Sequence, residues 1–170
     1  ILDCGAGGAI PPISLFREYG FEVCGIDISD RQLTRAKEYC EKKGLDIDLR
    51  KADMRQIPFD DERFDCVYEH YSMCHLSKLD TAVAINEMFR VTRKGGLCFI
   101  GMISVDTWPK YFFGKEKETG EFWEDGERHS MFTDQEADEL VSQWQILTKE
   151  KRVIYLRDAA KEILQEEWGN

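Results

Sequence analysis

The chain opens on a short apolar stub, Ile1-Leu2-Asp3-Cys4, that runs straight into Gly5-Ala6-Gly7-Gly8-Ala9. Glycines directly after a strand permit a sharp turn and a close approach of a ligand to the backbone. A helical pattern follows from Pro11-Pro12, which suit a first turn because no N–H is needed there. Its free N–H groups would face the loop. Twenty residues past Gly7 stands Asp27, closing the run Val23-Cys24-Gly25-Ile26. A carboxylate there can accept hydrogen bonds from both hydroxyls of a ribose. Loop and acid together read as a nucleoside site.

Short apolar runs alternate with helical patterns along the rest of the chain. Strands are expected at 1–4, 21–28, 47–49, 64–69 and 97–103, the last after a turn at Lys94-Gly95-Gly96. Helices are expected from Pro11 to about Tyr19, over 31–43, over 79–92 with Val83, Met88, Phe89 and Val91 at helical spacing, and over 134–141. Gly20 and Gly44 would stop the first two, and Ser29 or Asp30 and Thr133 are good caps. Gln145 to Leu156 has strand character, and Asp158 to Trp168 has a helical pattern. This alternation predicts an α/β fold: a Rossmann-like, mostly parallel sheet sandwiched by helices. The 170 residues are one domain's worth of chain, so a single domain over 1–170 is expected. A buried strand rarely opens an intact protein, and the natural N-terminus is expected to lie upstream of Ile1.

Thirty-three acidic against twenty-three basic residues leave a net charge of −10. That balance disfavours a nucleic-acid backbone or an anionic membrane as partner. Six cysteines occur without a Cys-x-x-Cys pair, so their spacing offers no zinc motif and no metal is expected. Cys4, Cys24, Cys66 and Cys98 lie in apolar runs and read as small buried hydrophobes of a cytoplasmic protein. A nucleophilic Cys74 near His70 or His75 is the sharper alternative. The segment 105–132 carries Trp108, Tyr111, Phe112, Phe113, Phe122, Trp123 and Phe132. Following the fifth strand, it is expected either to wall the ligand site or to be an ordinary excursion fastened by its aromatics.

Further pieces complete a pattern: Lys51-Ala52-Asp53-Met54, Ile57-Pro58-Phe59, Phe64-Asp65-Cys66-Val67-Tyr68-Glu69, His75-Leu76, and Glu87-Met88-Phe89-Arg90-Val91 with Gly95-Gly96. In this order, with the glycine loop and Gly25-Ile26-Asp27-Ile28-Ser29, they closely resemble the class I S-adenosylmethionine-dependent methyltransferases over residues 1 to about 103. His129-Ser130-Met131-Phe132-Thr133 before a helix resembles a small-molecule branch of that family. The resemblance implies S-adenosyl-L-methionine as cofactor and a small-molecule methyl acceptor. It places Gly5, Ala6 and Gly7 along the methionine and ribose, with Asp3 beneath the loop or near the ammonium group. It places Asp27 on the ribose, Ile28 against the adenine, Asp53 on the adenine amino group and the Met54 N–H on a ring nitrogen. Glu69 and His70 would face the methionine end. Ala9 stands where the family often has a third glycine.

Two other readings remain. A dinucleotide-binding domain read from Gly5 needs glycine at position 10, where the chain has Ile10. A nucleoside-binding module without catalysis would keep the pocket and lose transfer. If the acceptor carries a proton, a base must remove it, and His70, His75 and His129 are candidates, with Tyr71 able to orient an acceptor.

Overall fold

The computed structural model describes residues 1–106, 119–124 and 126–152. Its main sheet has five strands: β1 (Leu2–Cys4), β2 (Cys24–Asp27), β3 (Asp48–Lys51), β4 (Phe64–His70) and β5 (Thr92–Gly101). They lie in the order β3-β2-β1-β4-β5, and every pairing is parallel. The first two connections lead outward from β1 on one side, and the chain then crosses to β4 on the other. This reversal opens a crevice at the carboxyl end of β1, where open α/β sheets bind ligands. The α/β expectation therefore holds.

Three helices join these strands: α1 (Ile13–Glu18), α2 (Asp30–Lys43) and α3 (Lys78–Val91). Their ends follow from local chemistry. Ser29 caps α2 by accepting the Gln32 N–H, and Gly44 ends it in the left-handed conformation, with Lys42 and Lys43 at the negative end. Ser77 caps α3 through the Asp80 N–H. A further helix, α4 (Asp134–Leu140), starts on a capping box between Thr133 and Glu136.

The sheet is covered throughout on the α3 face, and on the other face at β1 to β3, while Leu97 and Phe99 of β5 and His70 of β4 are exposed there. Against α3 it packs Leu2, Cys4, Ile26 and Val67 with Ala84, Ile85, Met88 and Val91. On the other face Ala6, Ile13 and Leu49 meet Leu33, Ala36 and Cys40. The inward face of α3 is Thr81, Ala84, Ile85, Met88 and Val91, while Val83 and Phe89 are exposed. Phe89 instead meets Trp144 edge to face. Of the cysteines expected to be buried, Cys4 is, whereas Cys24, Cys66 and Cys98 are half-buried.

Other boundaries depart from the sequence expectation. β2 starts only at Cys24, because the Phe21 N–H still donates to Phe16 O and closes α1. Where a turn was expected at 94–96, α3 passes directly into β5. The irregularity is a register shift opposite Phe64 and Cys66, with Gly95 at a φ of 72°. Residues 145–152 form no strand. They are anchored by charge instead, as in Lys149 on Asp138 at 2.6 Å. The remainder of that expected strand, and the helix at 158–168, lie outside the described residues.

Arg90 ties the loop after β3 to α3. It donates to Ile57 O at 2.9 Å and Phe59 O at 2.8 Å, and pairs with Glu87 and Asp61. Glu87 in turn accepts the Ile57 N–H at 2.8 Å. Gly25 is fixed by space: a Cβ there would lie 2.4 Å from Ala6 Cβ and 2.8 Å from Leu49 Cδ2. Gly25→Ala is therefore expected to lower unfolding free energy by about 1–3 kcal/mol, the usual cost of overpacking. Urea denaturation would show this as a lower midpoint at unchanged slope.

Candidate functional site

The site begins where β1 ends. Gly5 turns at a φ of 96°, and the N–H groups of Gly5 and Ala6 both donate to Ile26 O, at 2.8 and 2.9 Å. The loop thus folds over the tip of β2. A Cβ on Gly5 would lie 2.0 Å from Ser72 Oγ, so the turn requires glycine. Gly7 is required too, because a Cβ would sit 2.4 Å from Asp27 Oδ2 and from Gln32 Cβ. Gly8, which sequence reasoning passed over, has a φ of 108° and donates to Gln32 O. The loop's left-handed turns are therefore at Gly5 and Gly8, and Ala9 needs none.

Asp27 stands at the tip of β2. Its Oδ2 accepts the Gly7 N–H at 3.0 Å and its Oδ1 accepts the Ser29 N–H at 2.8 Å. A carboxylate offers about four lone-pair sites, so both oxygens keep acceptor capacity for a hydroxylated ligand. Ile28 beside it is 61% exposed. Asp27 O also accepts the Ala52 N–H, which links the end of β3 to this acid.

Asp53 follows β3. Arg55 holds it through its backbone N–H at 2.9 Å and its side chain at 2.6 Å, and this pairing keeps the Asp53 carboxyl below its ordinary range. Arg55 reaches Asp80 as well, at 3.2 Å. Met54 is half-buried against the core. A groove of about 600 Å³ beside Asp53 is lined by Lys51, Gln56, Ile57, Glu87 and Arg90. Among the residues expected to bind cofactor, it includes Asp53 alone.

Asp3 and Glu69 are buried acids on adjacent strands. Asp3 Oδ2 has no hydrogen-bond partner among the described residues. Burial first, and then the Glu69 charge, push the Asp3 carboxyl up to about 7. Glu69 is fully enclosed. Its Oε1 accepts Ser72 Oγ–H at 3.1 Å and the Met73 N–H at 2.9 Å, and its Oε2 accepts the Gly101 N–H at 3.3 Å. Burial pushes it up to about 7 despite these bonds. Ser72 Oγ also reaches Cys4 O at 3.0 Å, so Glu69 and Ser72 brace the loop after β4 under the glycine turn. Sequence reasoning missed Ser72, which carries no motif of its own.

Glu69 and His70 do not face one ligand together, because successive strand residues point to opposite faces. His70 lies on the other face, exposed, with ring contacts to Tyr71 at 4.1 Å, Phe99 at 5.9 Å and Tyr68 at 6.1 Å. Tyr71 has a left-handed φ of 67°. His75 and His129 form a second group, with ring centroids 5.0 Å apart. The base candidates thus fall into two clusters. Cys74 is buried and donates to Tyr71 O, and burial pushes its thiol up to about 11, which argues against a ready nucleophile.

The later part of the aromatic segment is an antiparallel hairpin, β6 (Glu121–Glu124) and β7 (Glu127–Ser130). Trp108, Tyr111, Phe112 and Phe113 lie outside the described residues. Phe122, Met131 and Phe132 are buried, whereas Trp123 is exposed with Arg128 over its ring. Ser130 Oγ donates to Leu76 O at 2.6 Å, and the Lys78 N–H donates to Glu121 Oε1 at 2.6 Å. Phe132 bridges to Ser104 just past the end of β5, its N–H donating to Ile103 O. The hairpin is thereby fastened at the carboxyl edge, next to the crevice.

A family profile described as "Methyltransferase domain" matches residues 1–96, which is more than half of the chain. The chain belongs to the methyltransferase-domain family. Its parallel sheet and glycine loop are the class I, S-adenosylmethionine-dependent form. A sterol 24-C-methyltransferase of Pneumocystis carinii is 39% identical over 101 residues, 57% of this chain and 26% of that one. A methyltransferase of Streptomyces halstedii is 34% identical over 107 residues, 62% of this chain and 38% of that one. A solved S-adenosylmethionine-dependent methyltransferase of Methanosarcina mazei has the same fold, with a TM-score of 0.72 over 84% of this chain and 76% of that one at 22% identity. The chain spans about a quarter of the length of the sterol methyltransferases it matches. Among the described residues no helix is long and apolar enough to cross a membrane.

The raised acids give a pH signature. A carboxyl whose folded pKa lies above its unfolded value binds more protons when folded, so stability falls as pH rises from the ordinary carboxylate range to about 7. Asp3→Asn removes one such group. The ligand-free variant is expected to lose less stability than the parent chain between pH 5 and 8. Parallel urea curves across that interval would check this, and identical slopes would contradict it.

Proposed function

We propose that this chain binds S-adenosyl-L-methionine at the carboxyl edge of β1 and β2 and transfers its methyl group to a small-molecule acceptor. The observation that carries the reading is Asp27, oriented by two backbone N–H groups at the tip of β2 with acceptor capacity to spare. The residues present fit the cofactor. Asp3 supplies a buried carboxylate oxygen without a partner beside the loop, suited to an ammonium group. Gly5 and Gly7 leave the backbone bare, Ala6 is small, and Ile28 offers an open apolar surface to an adenine. Met54 would present its N–H to the base, and Asp53 keeps part of its acceptor capacity beyond Arg55.

The bound cofactor supplies an activated methyl group on a sulfonium, ready for in-line displacement. The chain's own work is alignment and the exclusion of water, and good positioning is worth up to ~7–11 kcal/mol. Glu69 acts through Ser72 and Met73, holding the loop after β4 in place, rather than by touching ligand. His70 with Tyr71 would take the acceptor's proton where it has one. The hairpin would wall the acceptor side, as one unit with the sheet in a single domain. The family match ends at residue 96, before that hairpin, so the sterol of the relatives is not carried over as the acceptor. The acidic charge favours a small molecule over nucleic acid. Six free cysteines fit a reducing, cytoplasmic setting.

Calorimetric titration with S-adenosylhomocysteine tests the pocket. Asp27→Ala is expected to weaken binding by about 1–3 kcal/mol, the cost of leaving hydroxyls unpaired. Unchanged affinity in that variant, or binding of a nicotinamide dinucleotide in place of the nucleoside, would overturn the reading. Binding without release of S-adenosylhomocysteine across a broad acceptor panel would favour a non-catalytic module.

A further inference from the structure

A second set of chemically active side chains sits at the same edge of the sheet, outside the cofactor residues. Cys74 and His75 adjoin in the single 3-10 turn after β4, and His129 comes from β7. One donor atom from each residue, the Cys74 Sγ and a ring nitrogen of each histidine, lies within 4.8 Å of the other two. A thiolate and two imidazoles make a donor set for a borderline-soft divalent ion of the zinc type. Such an ion binds sulfur at about 2.3 Å and imidazole nitrogen at about 2.0–2.1 Å. Tetrahedral donors at those lengths stand roughly 3.5 Å apart. Closing the set therefore takes movements of about an ångström, within the reach of small side-chain rotations.

The surroundings suit the ion. The Cys74 thiol is almost enclosed, while His75 has half of its side chain exposed and offers a way in. Glu127 Oε2 lies 3.7 Å from His75 Nδ1, where a carboxylate can orient a ligating imidazole or supply an oxygen ligand. Phe122 stacks on the His129 ring at 5.1 Å and sets its plane. We propose that Cys74, His75 and His129 bind one Zn²⁺, with an oxygen ligand in the fourth position, and so clamp the β6–β7 hairpin to the turn after β4. On binding, the Cys74 S–H bond breaks, its proton goes to solvent, and a sulfur–zinc bond takes its place. The hydrogen bond from Cys74 to Tyr71 O is given up in the exchange. The clamp does not depend on what the nucleoside crevice binds.

The test uses the full chain without an affinity tag, stripped with a chelator and titrated with Co²⁺ and then Zn²⁺. One equivalent of Co²⁺ is expected to give a thiolate charge-transfer band that Zn²⁺ abolishes. Cys74→Ser should remove that band, and both Cys74→Ser and His129→Gln should weaken Zn²⁺ binding at least about tenfold. Cys66→Ser should keep the parent behaviour. Because the variants can also misfold, Zn²⁺ should in addition slow alkylation of Cys74 in the unaltered chain, read by mass spectrometry of its peptide. No charge-transfer band, unchanged affinity in both folded variants, or equal alkylation with and without Zn²⁺ would each overturn the proposal.

Discussion

Two backbone N–H groups, from Gly7 and Ser29, hold the carboxylate of Asp27, and the site is arranged around that grip. Gly7 can donate only because the loop folds over Ile26 O, which in turn needs the left-handed turn at Gly5. Ser29 can donate because it is the cap of α2 and lies at the strand's exit. One acid thereby fixes the glycine loop, the end of β2 and the start of α2 relative to each other. Asp27 O then adds β3 through the Ala52 N–H. A ligand bound here meets a surface that is largely preorganised, which lowers the cost of ordering it.

A second brace lies one strand over. Glu69 is buried without a cation, yet three donors converge on it. They come from the loop after β4 and from the end of β5, so this carboxyl connects the strands that flank the crevice on its far side. Asp3 is its contrast, equally buried but with an oxygen left unpaired. An unsatisfied buried oxygen is costly in a stability-only account, and it becomes intelligible where a ligand cation is to arrive. On the proposed function, the two acids would divide the labour of scaffold and binding group.

Local signals made much of this legible in the sequence. The glycine turn, Asp27, the caps Ser29 and Thr133 and the stop at Gly44 depend on neighbours within a few residues, and each stands where the chain announces it. Other features depend on distant partners. Glu87 and Arg90 belong to the family pattern, but what they do is visible only once Ile57 and Phe59 are brought beside them. Val83 and Phe89 have helical spacing but sit on the outer face of α3, because the choice of face belongs to the sheet. Gln145 to Arg152 is apolar enough in part to suggest a strand, but the described residues there pair with neither edge strand, β3 nor β5, and are held by ion pairs of their lysines instead. Glu69 and His70 look like one functional pair in sequence, and the pleat separates them. Likewise the grouping of Cys74 and His75 with His129 depends on a hairpin that no spacing rule connects to them.

A crystal structure of the chain grown with S-adenosylhomocysteine tests the central claim most directly. The account predicts both ribose hydroxyls within about 2.5–3.0 Å of the Asp27 carboxylate, with the amino acid portion reaching toward Asp3 under the Gly5 turn. Density for the nucleoside in the groove between Asp53 and Arg90, with Asp27 still bound only to its two backbone N–H groups, would contradict it.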